Sequence, residues 1–353
     1  MYLLLATALL TSIAPVKGPA PNRQPQLAAA PGLTALVFGS GNSIWFSASH
    51  DNGHSFSAPT EVARIAALAL GRHRGPRVAI SGRTIVVSAI AAEQSPTAPI
   101  HGSVPDANLV AWRSTDGGRS WSKPVRINDV PASAHEGLHA MAAGKGGEIA
   151  AVWLDLRAPG TRLYGAYSED GGGHWSKNVL VYESPEKTIC QCCDPSLAAA
   201  GDGQFSVMFR NLVDGSRDLY LTTWNLNGQI SKARKLGTGS WNIDACPMDG
   251  GGVARLGNTV MTAWRRDRTV YLDEPGRPEI GLGEGKDVAI ALSAKGAYVA
   301  WSGTNGIELH KPGDKQPACL SAAGSFPSLL TLSNGNVLAA WEENGKIQVK
   351  IID

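Results

Sequence analysis

Apolar residues in this chain fall into short runs of four or five, and the runs come in recurring sets of three. The first set occupies residues 26–29, 34–38 and 43–46, the second 77–80, 84–88 and 109–112, the third 138–141, 149–153 and 163–167. A fourth begins at Ser196 and passes through 205–209 to 219–221, and three more are built around 260–264, 298–301 and 337–341. Runs of this length, rich in Val, Ile, Ala and aromatics and bounded by Gly, Asn and Asp, predict β-strands. A unit of three or four antiparallel strands cannot cover its own hydrophobic face, and radial repetition of such units as blades solves that problem. The pattern predicts an all-β protein, a β-propeller of about seven blades, or six if a terminal unit merges with its neighbour.

Composition narrows the function classes. The 353 residues are 43% hydrophobic, enough for a large core, and 41 glycines with 21 prolines suit many turns. The formal charge of +2 comes from well-mixed signs with no basic block, which argues against a nucleic-acid partner. An apolar run from Tyr2 to about Ala14 is too short to span a bilayer and suits the core of a signal peptide. Residues 1–24 are therefore expected to be a signal peptide with a Pro-rich spacer, and 25–353 the propeller. The expected location is exported, periplasmic or secreted, with no membrane span.

Three units carry a second signature after their third strand. Ser49-His50-Asp51-Asn52-Gly53-His54-Ser55-Phe56, Ser114-Thr115-Asp116-Gly117-Gly118-Arg119-Ser120-Trp121 and Ser168-Glu169-Asp170-Gly171-Gly172-Gly173-His174-Trp175 share the form Ser-x-Asp-x-Gly-x-x-aromatic. Its chemistry is that of a turn: Asp accepts from nearby backbone N–H groups and Gly takes a positive φ. These turns resemble the Asp-box, or BNR repeat, of sialidase-like propellers, where the box is peripheral and structural. The resemblance extends over nearly the whole chain as a fold.

Propeller ligands usually sit over the central channel. Loops before the innermost strands bring His73 and Arg74, His135 and Glu136, and two cysteine clusters to one face. The ends of the second strands bring Glu93, Asp155, Arg157, Arg210, Arg265, Arg266 and Glu342 to the same face. The expected ligand-binding set is Arg74, His135, Glu136, Asp155, Arg157, Arg210 and Arg265, with a glycan or small molecule as partner. The resemblance implies an arginine clamp on a carboxylate, a Tyr nucleophile assisted by Glu, and an Asp acid/base. Arg157, Arg210 and Arg265 are candidates for the clamp and Asp106 for the acid. Tyr271 and Tyr298 lie inside strand patterns without a Glu partner, so efficient sialidase turnover is not expected. The alternative is an exo-sialidase or related glycoside hydrolase using that clamp.

The departure from sialidases is Ile189-Cys190-Gln191-Cys192-Cys193-Asp194-Pro195-Ser196, answered later by Asp244-Ala245-Cys246-Pro247-Met248-Asp249. This pairing of motifs resembles a group of exported sialidase-like proteins. Both segments precede an innermost strand in neighbouring units, so they should meet. Three readings follow: a disulfide from Cys246 to one member of the cluster, a copper or zinc site formed by Cys190, either Cys192 or Cys193, and Cys246, with Met248 or His135, or a thiol-reactive center. Cys319, beyond the third strand of the sixth unit, is expected to be peripheral or buried.

Overall fold

The computed structural model describes residues 10–94, 104–201 and 203–352, and its regular elements there are all β-strands. Seven antiparallel sheets form a seven-bladed propeller. Blade I consists of Asn22–Ala30, Leu33–Ser40, Ser43–Ser49 and Thr60–Arg64, from the channel outward. Blade II follows with Arg77–Ser81, Thr84–Ala92, Asn108–Ser114 and Val125–Arg126, and the short strand Ala67–Leu68 pairs with the far end of Thr84–Ala92. Blade III is His139–Ala143, Ile149–Asp155, Arg162–Ser168 and Val179–Tyr182; blade IV is Ser196–Ala199, Gln204–Arg210, Leu219–Asn225 and Arg234–Lys235. Blade V comprises Gly251–Leu256, Thr259–Arg266, Thr269–Asp273 and Ile280–Glu284, and blade VI Lys286–Ser293, Gly296–Gly303, Gly306–His310 and Ala318–Ser321.

Blade VII closes the ring. Its three inner strands, Ser325–Thr331, Val337–Glu343 and Lys346–Ile352, come from the end of the chain, and its outermost strand is Thr11–Ile13. The two ends of the chain thus share one sheet. Of the expected signal peptide and spacer, residues 1–9 lie outside the described residues. Thr11–Ile13 pairs in blade VII, and Asn22 to Gln24 already belong to the innermost strand of blade I.

The second strand of a blade is pressed on both faces by neighbouring blades, so in blade III its sequence runs apolar from Ile149 to Leu154 without alternation. Every residue of Ile149–Asp155 is buried. Trp153, Trp264, Trp301 and Trp341, all near the ends of second strands, are among the largest fully buried side chains.

The three Ser-x-Asp turns tie each blade to the one before it. In each, the Ser hydroxyl donates to the Asp carboxylate at 2.7 to 2.8 Å and accepts from the Gly N–H at 2.8 Å. The same carboxylates accept the N–H of Ser55, Ser120 and His174 at 2.9 to 3.0 Å. Gly53, Gly118 and Gly172 adopt φ of +84°, +87° and +83°, and a Cβ there would press into Leu338, Phe46 and Val86 of the preceding blade. Hydrogen bonds from Ser55 pull the Asp51 carboxyl down to about 2. These acids are consumed by the turns.

Ile13 is 7% exposed and packs with Leu36, Phe38, Leu338 and Val349. In a chain that retains residues 10–14, Ile13→Ala is expected to cost about 2–4 kcal/mol, since truncating a buried Ile loses transfer energy and leaves a cavity. Urea unfolding of the two forms measures the difference, and N-terminal sequencing of the same sample establishes that the strand is present.

Candidate ligand site at the channel mouth

One irregularity, repeated around the ring, builds the site. In blades I, VI and VII the innermost strand opens with a register slip, between Arg23 and Gln26, Lys286 and Ala289, and Ser325 and Ser328. Inside each slip one residue turns left-handed: Gln24 at φ 55°, Asp287 at 57° and Phe326 at 50°. A bulge leaves its extra residue out of the ladder and re-aims the side chain, here over the end of the channel.

A turn from blade II lies across that opening. Gly71 and Arg74 exchange two backbone hydrogen bonds, of 2.8 and 3.1 Å, and the central Arg72 and His73 have φ of 49° and 66°. Positive φ at both central positions is the type I′ geometry. The buried Arg77 holds the turn from below, donating to the carbonyl of His73 at 2.6 Å and that of Pro76 at 3.1 Å. His73 then meets residues of distant blades. Its Nε2 is 2.9 Å from Asp287 Oδ1, its Nδ1 is 3.8 Å from Asp194 Oδ2, and its ring stands edge-on to Phe326 at 5.5 Å. A side chain that touches segments of blades IV, VI and VII while starting from blade II sits over the axis.

The charges here are mutually dependent. Burial alone would lower the His73 pKa, but the charge of Asp194 and the hydrogen bond and charge of Asp287 outweigh it and push it up to about 9. Asp249 is 1% exposed, and burial raises its carboxyl to about 6 against the pull of His73. Its Oδ1 accepts the N–H of Asp287 at 3.3 Å, and its Oδ2 lies 3.4 Å from Arg265 Nε. Asp194 accepts the N–H of Gly250 at 3.0 Å, which links the approach to blade IV with that to blade V. Below the His73 turn a cavity of about 240 Å³ remains, lined by Gln26, Arg77, Asp194, Ser196, Ser328 and the inner-strand backbones.

The two cysteine segments meet beside this cluster, as their places in neighbouring blades predict. Cys192 and Cys246 form a disulfide with Cα atoms 6.3 Å apart. Cys190 and Cys193 are buried thiols with sulfurs 3.3 Å apart. The hydrogen bond from Cys193 lowers Cys190 to about 6, while burial raises Cys193 well above its usual value. Met248 receives a hydrogen bond from Arg72 at 3.2 Å. Cys319 is peripheral, exposed on the outer strand of blade VI.

Of the expected arginines, Arg210 and Arg265 come together: both guanidinium groups lie over the Trp241 ring, at 5.2 and 4.9 Å. Arg210 is 1% exposed and its donors go to backbone carbonyls, those of Asp249, Arg265 and Arg217 at 2.7 to 3.1 Å. Arg157 stands apart with its own partners, Asp155, Asp129 and Asn178, and its guanidinium carbon is 3.8 Å from the centre of the Tyr164 ring. Asp155 is buried and also accepts from Ser133 and from the Trp153 indole. Arg74, 2% exposed, pairs with Glu136 at 3.4 Å and donates to its carbonyl at 2.6 Å. His135 turns back on the carbonyl of Ala132 at 2.8 Å. Asp106 is exposed in a left-handed loop conformation. Tyr271 is stacked between Trp264 and Arg266, and Tyr298 is buried.

Sequence reasoning did not nominate Asp194, Asp249, Asp287, Arg217 or Trp241. Asp194 and Asp249 were visible as the acids that follow each cysteine motif. Asp287 has no such flag, because a bulge at Lys286–Ser293 leaves no simple mark in the sequence.

Because the His73 pKa is higher folded than unfolded, its contribution to stability is complete below about 6.5 and is lost as pH rises toward 9. The stability difference between the natural protein and His73→Gln is therefore expected to shrink across that window, by at most about 1.4 kcal/mol per pH unit. Chemical denaturation at several pH values measures it. A difference independent of pH would show that His73 is neutral in the fold.

No family model matches the chain, and no curated protein does. Solved structures do. The intramolecular trans-sialidase from Ruminococcus gnavus, in complex with oseltamivir carboxylate, aligns over 94% of both chains with a TM-score of 0.53 at 9% identity. A mutant Trypanosoma rangeli sialidase displaying trans-sialidase activity aligns over 97% of this chain with a TM-score of 0.57 at 14% identity; the match spans 57% of that protein. A PL25 ulvan lyase bound to -[GlcA(1-4)Rha3S]- aligns over 94% of this chain and 93% of its own at TM-score 0.55 and 9% identity. The fold is that of a sialidase-like seven-bladed propeller.

Proposed function

We propose that this protein is an exported, sialidase-like propeller that binds an acidic glycan at the face around the channel mouth. The observation that carries the reading is the convergence of polar side chains from separate blades on one recess, the usual form of a ligand site. His73, Asp194, Ser196, Gln26 and Ser328 surround it. Beside it a second recess of about 410 Å³ is lined by Trp241, Arg265, Arg268 and Lys286 together with Asp267 and Glu284. Glu284 pairs with Arg268 at 2.6 Å, leaving Arg265 and Lys286 as its cations without a close carboxylate in the lining. An aromatic ring with cationic groups suits a sugar that carries a carboxylate or sulfate. Two of the structural neighbours were solved with acidic small molecules or saccharides, which supports the class of ligand. Export is supported by the disulfide and by the apolar run at the start of the chain.

Efficient sialoside hydrolysis is not part of this reading. A clamp needs guanidinium groups free to face the substrate, and Arg210 and Arg157 spend their donors inside the protein. Arg157 and Arg265 are similarly exposed, at 16% and 17%. Arg157 is held by Asp155, Asp129 and Asn178 at 2.7 to 2.9 Å, whereas Arg265 has Asp249 at 3.4 Å as its charged neighbour, which makes Arg265 the candidate. On a glycan array the protein is expected to retain uronate- or sialate-bearing glycans. Arg265→Ala should weaken that binding about 10- to 100-fold, the scale of a lost charged hydrogen bond. A fluorogenic sialoside supplies the opposing assay: turnover of about 1 per second or faster would replace this reading with the glycoside hydrolase one. Retention of no acidic glycan, with no turnover, would end both.

A further inference from the structure

Four cysteines meet at this face in two chemical states, one disulfide and two thiols. The Sγ of Cys190 is 3.3 Å from that of Cys193 and 3.7 Å from that of Cys192, and Cys192 and Cys193 are 4.0 Å apart. A zinc ion bound by four thiolates at about 2.3 Å sets its sulfurs about 3.8 Å apart at the corners of a tetrahedron. The three separations bracket that edge. They therefore already describe one triangular face of such a site.

The fourth corner is within reach. Cys246 Sγ is bonded to Cys192 Sγ, which itself lies 3.7 and 4.0 Å from the other two sulfurs. Cys246 is exposed, whereas Cys190 and Cys193 are buried, so only the outermost member needs to move. The surroundings carry the compensating charge. Four thiolates and one zinc ion leave two negative charges, and two guanidinium groups border the cluster. Arg217 Nη1 donates to Cys190 Sγ at 3.4 Å, and the charge of the Arg210 guanidinium acts on both Cys190 and Cys193.

We propose that Cys190, Cys192, Cys193 and Cys246, when reduced, form a tetrahedral zinc site, and that the Cys192–Cys246 disulfide is its closed, metal-free state. An external dithiol opens it: two electrons and two protons pass to Cys192 and Cys246, and the dithiol leaves as a disulfide. Zinc then displaces the protons that remain on the four sulfurs. Oxidation of Cys192 and Cys246 by an external disulfide reverses the step and expels the ion. Copper(I) is also selected by thiolates, but four sulfurs at tetrahedral spacing are the arrangement zinc takes. This site stands independently of the glycan reading, since none of its ligands lines the recess.

The test uses the full chain, reduced with a phosphine, freed of reductant without air, and titrated with cobalt(II) as the spectroscopic probe. The expected result is a single equivalent of cobalt with the strong visible bands and thiolate charge transfer of a tetrahedral site, bleached by zinc. Unreduced protein should stay colourless. Cys193→Ser keeps the disulfide partners and should lower cobalt affinity at least about tenfold. Near-UV circular dichroism follows the fold at each stage; if reduction loosens it, cobalt or zinc should restore it. Reduced protein that stays colourless, or Cys193→Ser that binds cobalt as tightly as the natural chain, overturns the proposal. Loss of the fold on reduction that no added metal restores overturns it as well.

Discussion

Everything in this molecule depends on closing a ring of sheets that are each apolar on both faces. No blade buries its second strand alone; Ile149–Asp155 is covered because blades II and IV stand on either side of it. The ring therefore needs a last contact as good as the others. Thr11–Ile13 supplies it by pairing with Lys346–Ile352, so that blade VII is held by both ends of the chain. The Ser-x-Asp turns add a second tie, because Gly53, Gly118 and Gly172 let the backbone lie directly on the preceding blade. Hydrophobic burial drives the closure, and these close approaches fix the angle between blades.

Closure also brings every innermost strand to start at one face, and that is what gathers the chemistry. His73 reaches across the axis because Arg72 and His73 adopt a tight turn, and it stays charged because carboxylates from three segments surround it. Asp249 pays the opposite penalty, raised toward protonation by its own burial. Arg210 behaves differently from what a guanidinium at the end of a blade strand suggests. It gathers the carbonyls of Asp249, Arg265 and Arg217 and so holds the segment that carries Cys246 against blade IV. An arginine whose donors are saturated by backbone cannot also grip a ligand.

The cysteine cluster lies behind this layer and shares its framework. Cys193 is followed by Asp194, and Cys246 lies three residues before Asp249, so two of the three acids around His73 are carried by the sulfur-bearing segments, and the third, Asp287, comes from blade VI. Trp241 connects the two regions from the other side, under Arg210 and Arg265.

The chain's own pattern determined the architecture. Short apolar runs in sevenfold repetition have few ways to bury themselves, and the Ser-x-Asp-x-Gly turns mark their corners without any tertiary information. The meeting of the Cys190 and Cys246 segments was legible for the same reason, since each precedes an innermost strand in adjacent units. Which cysteine pairs with Cys246 was not, because Cys190, Cys192 and Cys193 differ only in where their side chains point. The arginines show the limit most clearly. Sequence places Arg157, Arg210 and Arg265 at equivalent strand ends, yet Arg157 is taken by Asp155 and Asn178, Arg210 by carbonyls, and Arg265 stands only 3.4 Å from Asp249 over the Trp241 ring. Asp287 and the His73 turn were hidden as well, since both depend on left-handed backbone at single residues. Periodicity records which face of a strand is buried; what a polar side chain meets is decided by loops and bulges of other blades, and only the closed ring brings those together.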